Sequence, residues 1–174
     1  MLRQAVSFLV GLALAFLGNL LLLRLSPDSS RWVDLFTVVI VLNAVASGPA
    51  GAMIGGSLAG LAEDAVAGLV YGLHGFAGTL IGLLVQQGSR LLTVQHGVMV
   101  GGIAALAVLA QEVVIAALVR VLLADAQTPE PMWVGVRAAA TGVVAGMVFA
   151  ASRRSVGRLA GWRRGRRRRM RLDG

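Results

Sequence analysis

The feature that most constrains this chain is its series of long apolar runs, several of which carry carboxylates or arginines inside them. Crossing the ~30 Å hydrocarbon core of a bilayer takes ~20 apolar residues in a helix. Residues 5–23 meet that requirement, and Leu-Ser-Pro-Asp-Ser-Ser closes the run. Residues 33–46 form a second run, stopped by Ser-Gly-Pro-Ala-Gly. A third begins over residues 50–61 and loses hydrophobicity at Glu63 and Asp64, and a fourth occupies residues 73–85. Residues 98–123 and 133–151 supply the fifth and sixth. The first is too long for the apolar part of a signal peptide, and further spans follow it, so it reads as an uncleaved anchor. Runs two and three are individually short, and a re-entrant pair is the alternative there.

Composition agrees with lipid as the solvent. The chain is 57% hydrophobic and 14% charged, with mean hydropathy +0.80, where a soluble domain carries about 25% charged residues. All sixteen basic residues are arginine, and ten of them lie from Arg153 onward. The remaining six stand against seven acids, so the pI of 11.8 describes the tail and not the body. The body has no basic face to lay along phosphates, and a nucleic-acid partner is not expected. The absence of cysteine rules out disulfides, thiolate nucleophiles and Cys-based metal sites. With His74 and His96 the only histidines and no nucleophile–base constellation in view, neither catalysis nor a metal nor a cofactor is expected.

The predicted fold is an all-α polytopic membrane bundle of about six transmembrane helices over residues 1–152. A cytoplasmic arginine-rich tail follows over residues 153–174. Six spans put both termini on one side, and the basic tail makes that side cytoplasmic. Trp32, Tyr71 and Trp133 then fall together at the outer interface, where such aromatics concentrate. Arg24 and Arg31 fall outside too, against the rule. In the tail, Val156, Leu159 and Trp162 alternate with arginines, as in an amphipathic helix lying on anionic lipid. The excess charge at Arg163, Arg164, Arg166, Arg167, Arg168 and Arg169 equally suits an acidic cytoplasmic partner.

Many of the 23 glycines fall at four-residue spacing, notably Gly51/Gly55, Gly56/Gly60 and Gly68/Gly72. Small residues let helices approach closely in lipid. They serve internal packing or a groove for a partner's transmembrane helix.

In this scheme Asp34, Glu63, Asp64, Arg120 and Arg137 all lie toward the outer leaflet. A lone charge at mid-bilayer costs about 2.5–3.5 kcal/mol on insertion scales. Pairing offsets that cost, so a polar cluster is expected in which Asp34 or Asp64 faces Arg137 or Arg120; separate snorkelling is the alternative. Glu112 lies deeper, beside Gln111. A protonated carboxyl bonded to Asn19, Asn43 or a backbone carbonyl is the expected state, with Asn19 the better candidate, and a proton relay or ion pathway the sharper one. His74 reads as a polar cap on the fourth helix, and His96 as an interfacial residue.

The stretch from Trp32 to Phe76 resembles the rod-shape-determining protein MreD family. That family shows an acid heading its second span, a glycine-rich third span ending in Asp, and Gly-Leu-His/Asn heading the next. The matching residues are Asp34, then Gly51, Gly55 and Gly60 leading to Asp64, then Gly72, Leu73 and His74. Where the family usually has Pro before the first Asp, this chain has Val33. The resemblance implies a non-enzymatic inner-membrane subunit of the bacterial elongation machinery that makes peptidoglycan. Its implied partner is the bitopic scaffold MreC, and through it the MreB filament, the glycosyltransferase RodA and its penicillin-binding transpeptidase. It also implies a six-helix fold like the substrate-binding S-components of energy-coupling-factor vitamin transporters. A vitamin-binding subunit is therefore the second reading, and a proton- or ion-coupled carrier resting on Glu112 the third.

Overall fold

A computed structural model of the protein describes residues 2–25, 32–67, 71–91, 96–122 and 130–169, with side chains over residues 3–153 of these. They form six α-helices: α1 (Leu2–Leu25), α2 (Leu35–Ala46), α3 (Pro49–Ala67), α4 (Leu73–Leu91), α5 (Gly97–Leu122) and α6 (Pro131–Arg169). No strand occurs among the described residues. Local chemistry sets the boundaries. Asp34 caps α2 by accepting a hydrogen bond from the Thr37 amide. Pro49 and Pro131 stand at first helical positions, where a missing N–H costs nothing. Gly72 adopts φ +99°, a left-handed conformation favouring glycine, and turns the chain into α4.

α1, α5 and α6 each contain a segment long and apolar enough to cross a membrane. α2 is apolar but only 12 residues long, about 18 Å of helix. α3 and α4 are long enough, but Glu63, Asp64, Gln86, Gln87 and Arg90 dilute their hydropathy.

The short helix is the centre of the bundle. The backbone of α2 lies against all five others, whereas that of α1 lies against only α2 and α3, and that of α6 against only α2 and α5. Ile40, Val41 and Ala44 of α2 are fully buried in a core completed by Ile81, Val100, Ala104 and Ala145, while Phe36, also fully buried, packs in a second cluster with Ala15 of α1 and Val39. α1 is the opposite case. Eight of its leucines and valines are exposed along one face and only Ala15 of its described side chains is buried, as suits a helix whose outer surface faces lipid.

Glycines make the two tightest helix pairs. A Cβ added to Gly56 would run into the Gly78 carbonyl, one on Gly60 into the His74 carbonyl, and one on Gly82 into that of Ala52. The α3 and α4 backbones are thus in direct contact. In α5 and α6, a Cβ on Gly101 would lie 2.7 Å from the Gly142 carbonyl, and one on Gly97 2.7 Å from that of Gly146. Of the glycines singled out in sequence, Gly56 and Gly60 pack helices. Gly55 instead makes room for the Asn43 side chain. Gly51 is exposed, and a Cβ there would meet only Ser47, one turn earlier, so its lack of a side chain serves no close helix contact. Gly72 serves the turn, and Gly68 lies outside the described residues.

α6 continues without a break through residues 152–153, the boundary expected between bundle and tail, and ends at Arg169. At 39 residues it is about 58 Å long, nearly twice the hydrocarbon thickness. Arg163, Arg164, Arg166, Arg167, Arg168 and Arg169 lie on this extension, and their side chains fall outside the described residues.

Candidate functional site: a buried ion network

Five helices contribute to one polar network inside the apolar bundle. It joins the N-terminal ends of α2, α4 and α6 to the C-terminal halves of α3 and α5, so these helices run alternately up and down.

Arg137 is its hub. Nη2 donates to Asp34 Oδ2 at 2.9 Å and to Glu63 Oε1 at 3.2 Å, while Nη1 donates to Glu112 Oε1 at 2.6 Å. The guanidinium fork suits this role, since one planar group can serve several carboxylates from fixed directions. Its reach also explains the pairing with Glu112. That acid lies ten residues before the end of α5 and Arg137 six after the start of α6, depths of about 15 and 9 Å. The long side chain covers the difference.

Neutral groups complete the network. Gln111 Nε2 donates to Glu63 Oε2 at 3.2 Å. The Thr37 hydroxyl stands 2.6 Å from Asp34 Oδ2 and 3.0 Å from Gln111 Oε1, with one hydrogen to give. The Asp34 backbone N–H donates to Thr141 Oγ1 at 2.9 Å. Arg137 Nε is buried without a hydrogen-bond partner.

Asp64, fully buried, does a different task. Its carboxylate accepts from the backbone amides of Gly72, His74 and Gly75 at 2.8, 3.1 and 3.2 Å. These are orphan donors at the start of α4, so a side chain from α3 caps the next helix. His74 Nδ1 adds a fourth contact at 2.8 Å, and its Nε2 lies 3.7 Å from Glu63 Oε1. Replacing Asp64 with alanine would leave three buried N–H groups without a partner. We expect a loss of at least about 2 kcal/mol, read as a lower thermal unfolding midpoint in detergent. Asp64→Asn keeps one acceptor oxygen and is expected to fall between the two.

The structure brings Asp34, Glu63, Glu112 and Arg137 into direct contact, and His74 links Asp64 to Glu63. Separate snorkelling of these groups is excluded. Arg120 is not part of the network. It is exposed in the last turn of α5, eight residues and about 12 Å beyond Glu112. Asp64 meets His74 and the α4 amides in place of an arginine. Glu112 bonds Arg137 and neither asparagine: Asn43 donates to the Gly51 carbonyl, and Asn19 is half-buried on α1, which does not touch α5. His74 is held by the cap that Asp64 supplies. His96 is exposed, and its carbonyl receives the amides of Met99 and Val100 at the start of α5. Near the network, Trp32 and Trp133 pack edge to face with centroids 5.3 Å apart.

Thr37, Gln111 and Thr141 were not singled out in sequence as members. Two had a signal: Thr37 follows Asp34 by three residues, the spacing of a helix cap, and Thr141 lies one turn beyond Arg137. Gln111 had none beyond its neighbour Glu112. The glycine pairs Gly78/Gly82, Gly97/Gly101 and Gly142/Gly146 were also passed over, although they show the same spacing as those noted.

Comparison with known protein families, with characterised proteins and with solved structures returns no match.

Proposed function

We propose that this chain is a non-catalytic integral membrane adaptor of bacterial cell elongation, of the kind its resemblance to the MreD family implies. It would bind an MreC-like bitopic scaffold and, through it, an MreB-like filament and a RodA-like glycosyltransferase with its transpeptidase. The observation that supports this reading is the placement of the residues that carry the resemblance. Asp34, Asp64 and His74, dispersed over forty positions of sequence, belong to one connected network together with Arg137. The acids act there as ties between helices and caps on their ends, which is architecture for a rigid binding surface.

The same network supports six spans over three. Glu63 and Asp64 depress the hydropathy of α3, yet both are buried against partners, so they do not oblige α3 to leave the bilayer. With six spans the termini share one side, and the arginine-rich extension of α6 makes it cytoplasmic. An outward surface for a partner's single span is available between α5 and α6. There an open apolar groove of about 680 Å³ is lined by Gly101, Gly102, Ala105, Gly142, Val143 and Gly146.

Purification in mild detergent from its own host tests the reading. Recovery of a single-span protein with a periplasmic coiled coil, at near-equal amounts, is the expected result. A retained vitamin-like small molecule with no such protein would replace the adaptor reading with that of a transporter subunit.

A further inference from the structure

The charges around Glu63 do not balance. About it stand Asp34 from α2, Asp64 on its own helix, His74 from α4, Glu112 from α5 and Arg137 from α6. Among the described residues α1 adds no ionisable group to the network; Arg24 is exposed at its end. Four carboxyl groups therefore stand against one guanidinium, which touches three of them, in surroundings where an unmatched charge is costly.

The donors are unevenly divided. Asp64 receives three backbone N–H groups, with His74 Nδ1 beside it at 2.8 Å. Asp34 receives the Thr37 amide and Arg137 Nη2, with the Thr37 hydroxyl at 2.6 Å. Both acids also sit at helix N-termini, whose positive end favours an anion. Glu112 holds Arg137 Nη1 at 2.6 Å and is part-exposed. Glu63 accepts only two hydrogen bonds, each at 3.2 Å, and shares Arg137 Nη2 with Asp34.

Asp64 also decides the state of the histidine. An ionised carboxylate only accepts, so the ring nitrogen beside it, Nδ1, carries hydrogen. In a neutral imidazole Nε2 is then an acceptor, and it faces Glu63 Oε1 across 3.7 Å. With Glu63 ionised, two acceptors would confront each other with no donor between them.

We propose that one proton occupies this gap, carried by Glu63 as a neutral carboxyl and donated to His74 Nε2. The pair is then a proton-binding site where α3, α4, α5 and α6 meet. The proton removes one surplus negative charge and turns a repulsive contact into a hydrogen bond, which a small side-chain adjustment would bring within range. Glu63 touches α4 through His74, α5 through Gln111 and α6 through Arg137. Occupancy of this one site therefore controls how firmly the α3–α4 pair is held to α5 and α6. The site stands on geometry alone and does not depend on the adaptor reading.

Infrared spectroscopy of the full-length protein in lipid vesicles at neutral pH tests it. A protonated-carboxyl C=O band is expected, displaced by isotope-labelled glutamate and abolished in Glu63→Gln. The band should persist in a Glu112→Gln/Glu130→Gln double variant, where Glu63 is the only glutamate left. That variant removes the Glu112 charge but keeps Glu63 and its facing contact with His74 Nε2, which is what calls for the proton, so the test holds even where Glu63→Gln fails to fold. Absence of the band, indifference to the glutamate label, or its loss in the double variant would each overturn the proposal.

Discussion

Replacing Arg137 with glutamine should strip the membrane of most of the folded protein. The substitution leaves Asp34, Glu63 and Glu112 without the cation that touches all three. Removing one partner from a buried ion pair costs about 3–5 kcal/mol, because the charge left behind has neither water nor a counter-ion. That is comparable with the whole stability of many domains. The readout is the amount of monodisperse protein recovered in mild detergent and its unfolding midpoint. Arg137→Lys sharpens the test. It keeps the charge but replaces a planar fork reaching three carboxylates with a compact ammonium, so it should recover only part of the loss. Full recovery would mean that charge alone matters and that the geometry at Nη1 and Nη2 is incidental.

The second large effect is expected at Gly56. An added methyl group there would strike the Gly78 carbonyl, and the obstacle is backbone, which cannot rotate aside. α3 and α4 would have to separate, losing the contact and straining the Asp64 cap that spans them. We expect a cost of about 3 kcal/mol for Gly56→Ala, at the upper end of overpacking, and more for Gly56→Val. Gly102 and Gly88 supply the control. A Cβ at either meets open space, so alanine there should change little or add up to about 1 kcal/mol through helix propensity. Equal losses at Gly56 and Gly102 would mean that the α3–α4 contact is not close.

The sequence made the helices legible and left their rotation about their own axes hidden. Six apolar runs map onto six helices, three of them long and apolar enough to cross a membrane, where each backbone must satisfy itself. The boundaries drifted where polarity was mistaken for an end. Residues 50–61 were marked because hydropathy fails at Glu63, yet α3 continues to Ala67 because its acids turn inward. Likewise α6 passes through the first arginines, since a helix needs no apolar side chains to continue. Within the site, cost alone pointed to Asp34 or Asp64 finding Arg137 or Arg120. Choosing between Arg120 and Arg137, or between an asparagine and an arginine for Glu112, required the facing of α5. Nothing local in a helix apolar on every side reports that facing. Asp64 reaching forward to cap α4 was equally hidden, because its partners are backbone amides that every residue possesses.

The claim beneath all of this is that side chains 103 positions apart, Asp34 and Arg137, are bound to each other inside the bundle. A double-mutant cycle measures it directly, using unfolding of Asp34→Asn, Arg137→Gln and the pair in the same detergent. The structure predicts strong coupling of about 1–3 kcal/mol, the double variant being appreciably more stable than the two single losses added together. Simple additivity would show that the two groups do not meet, and the network would lose its centre.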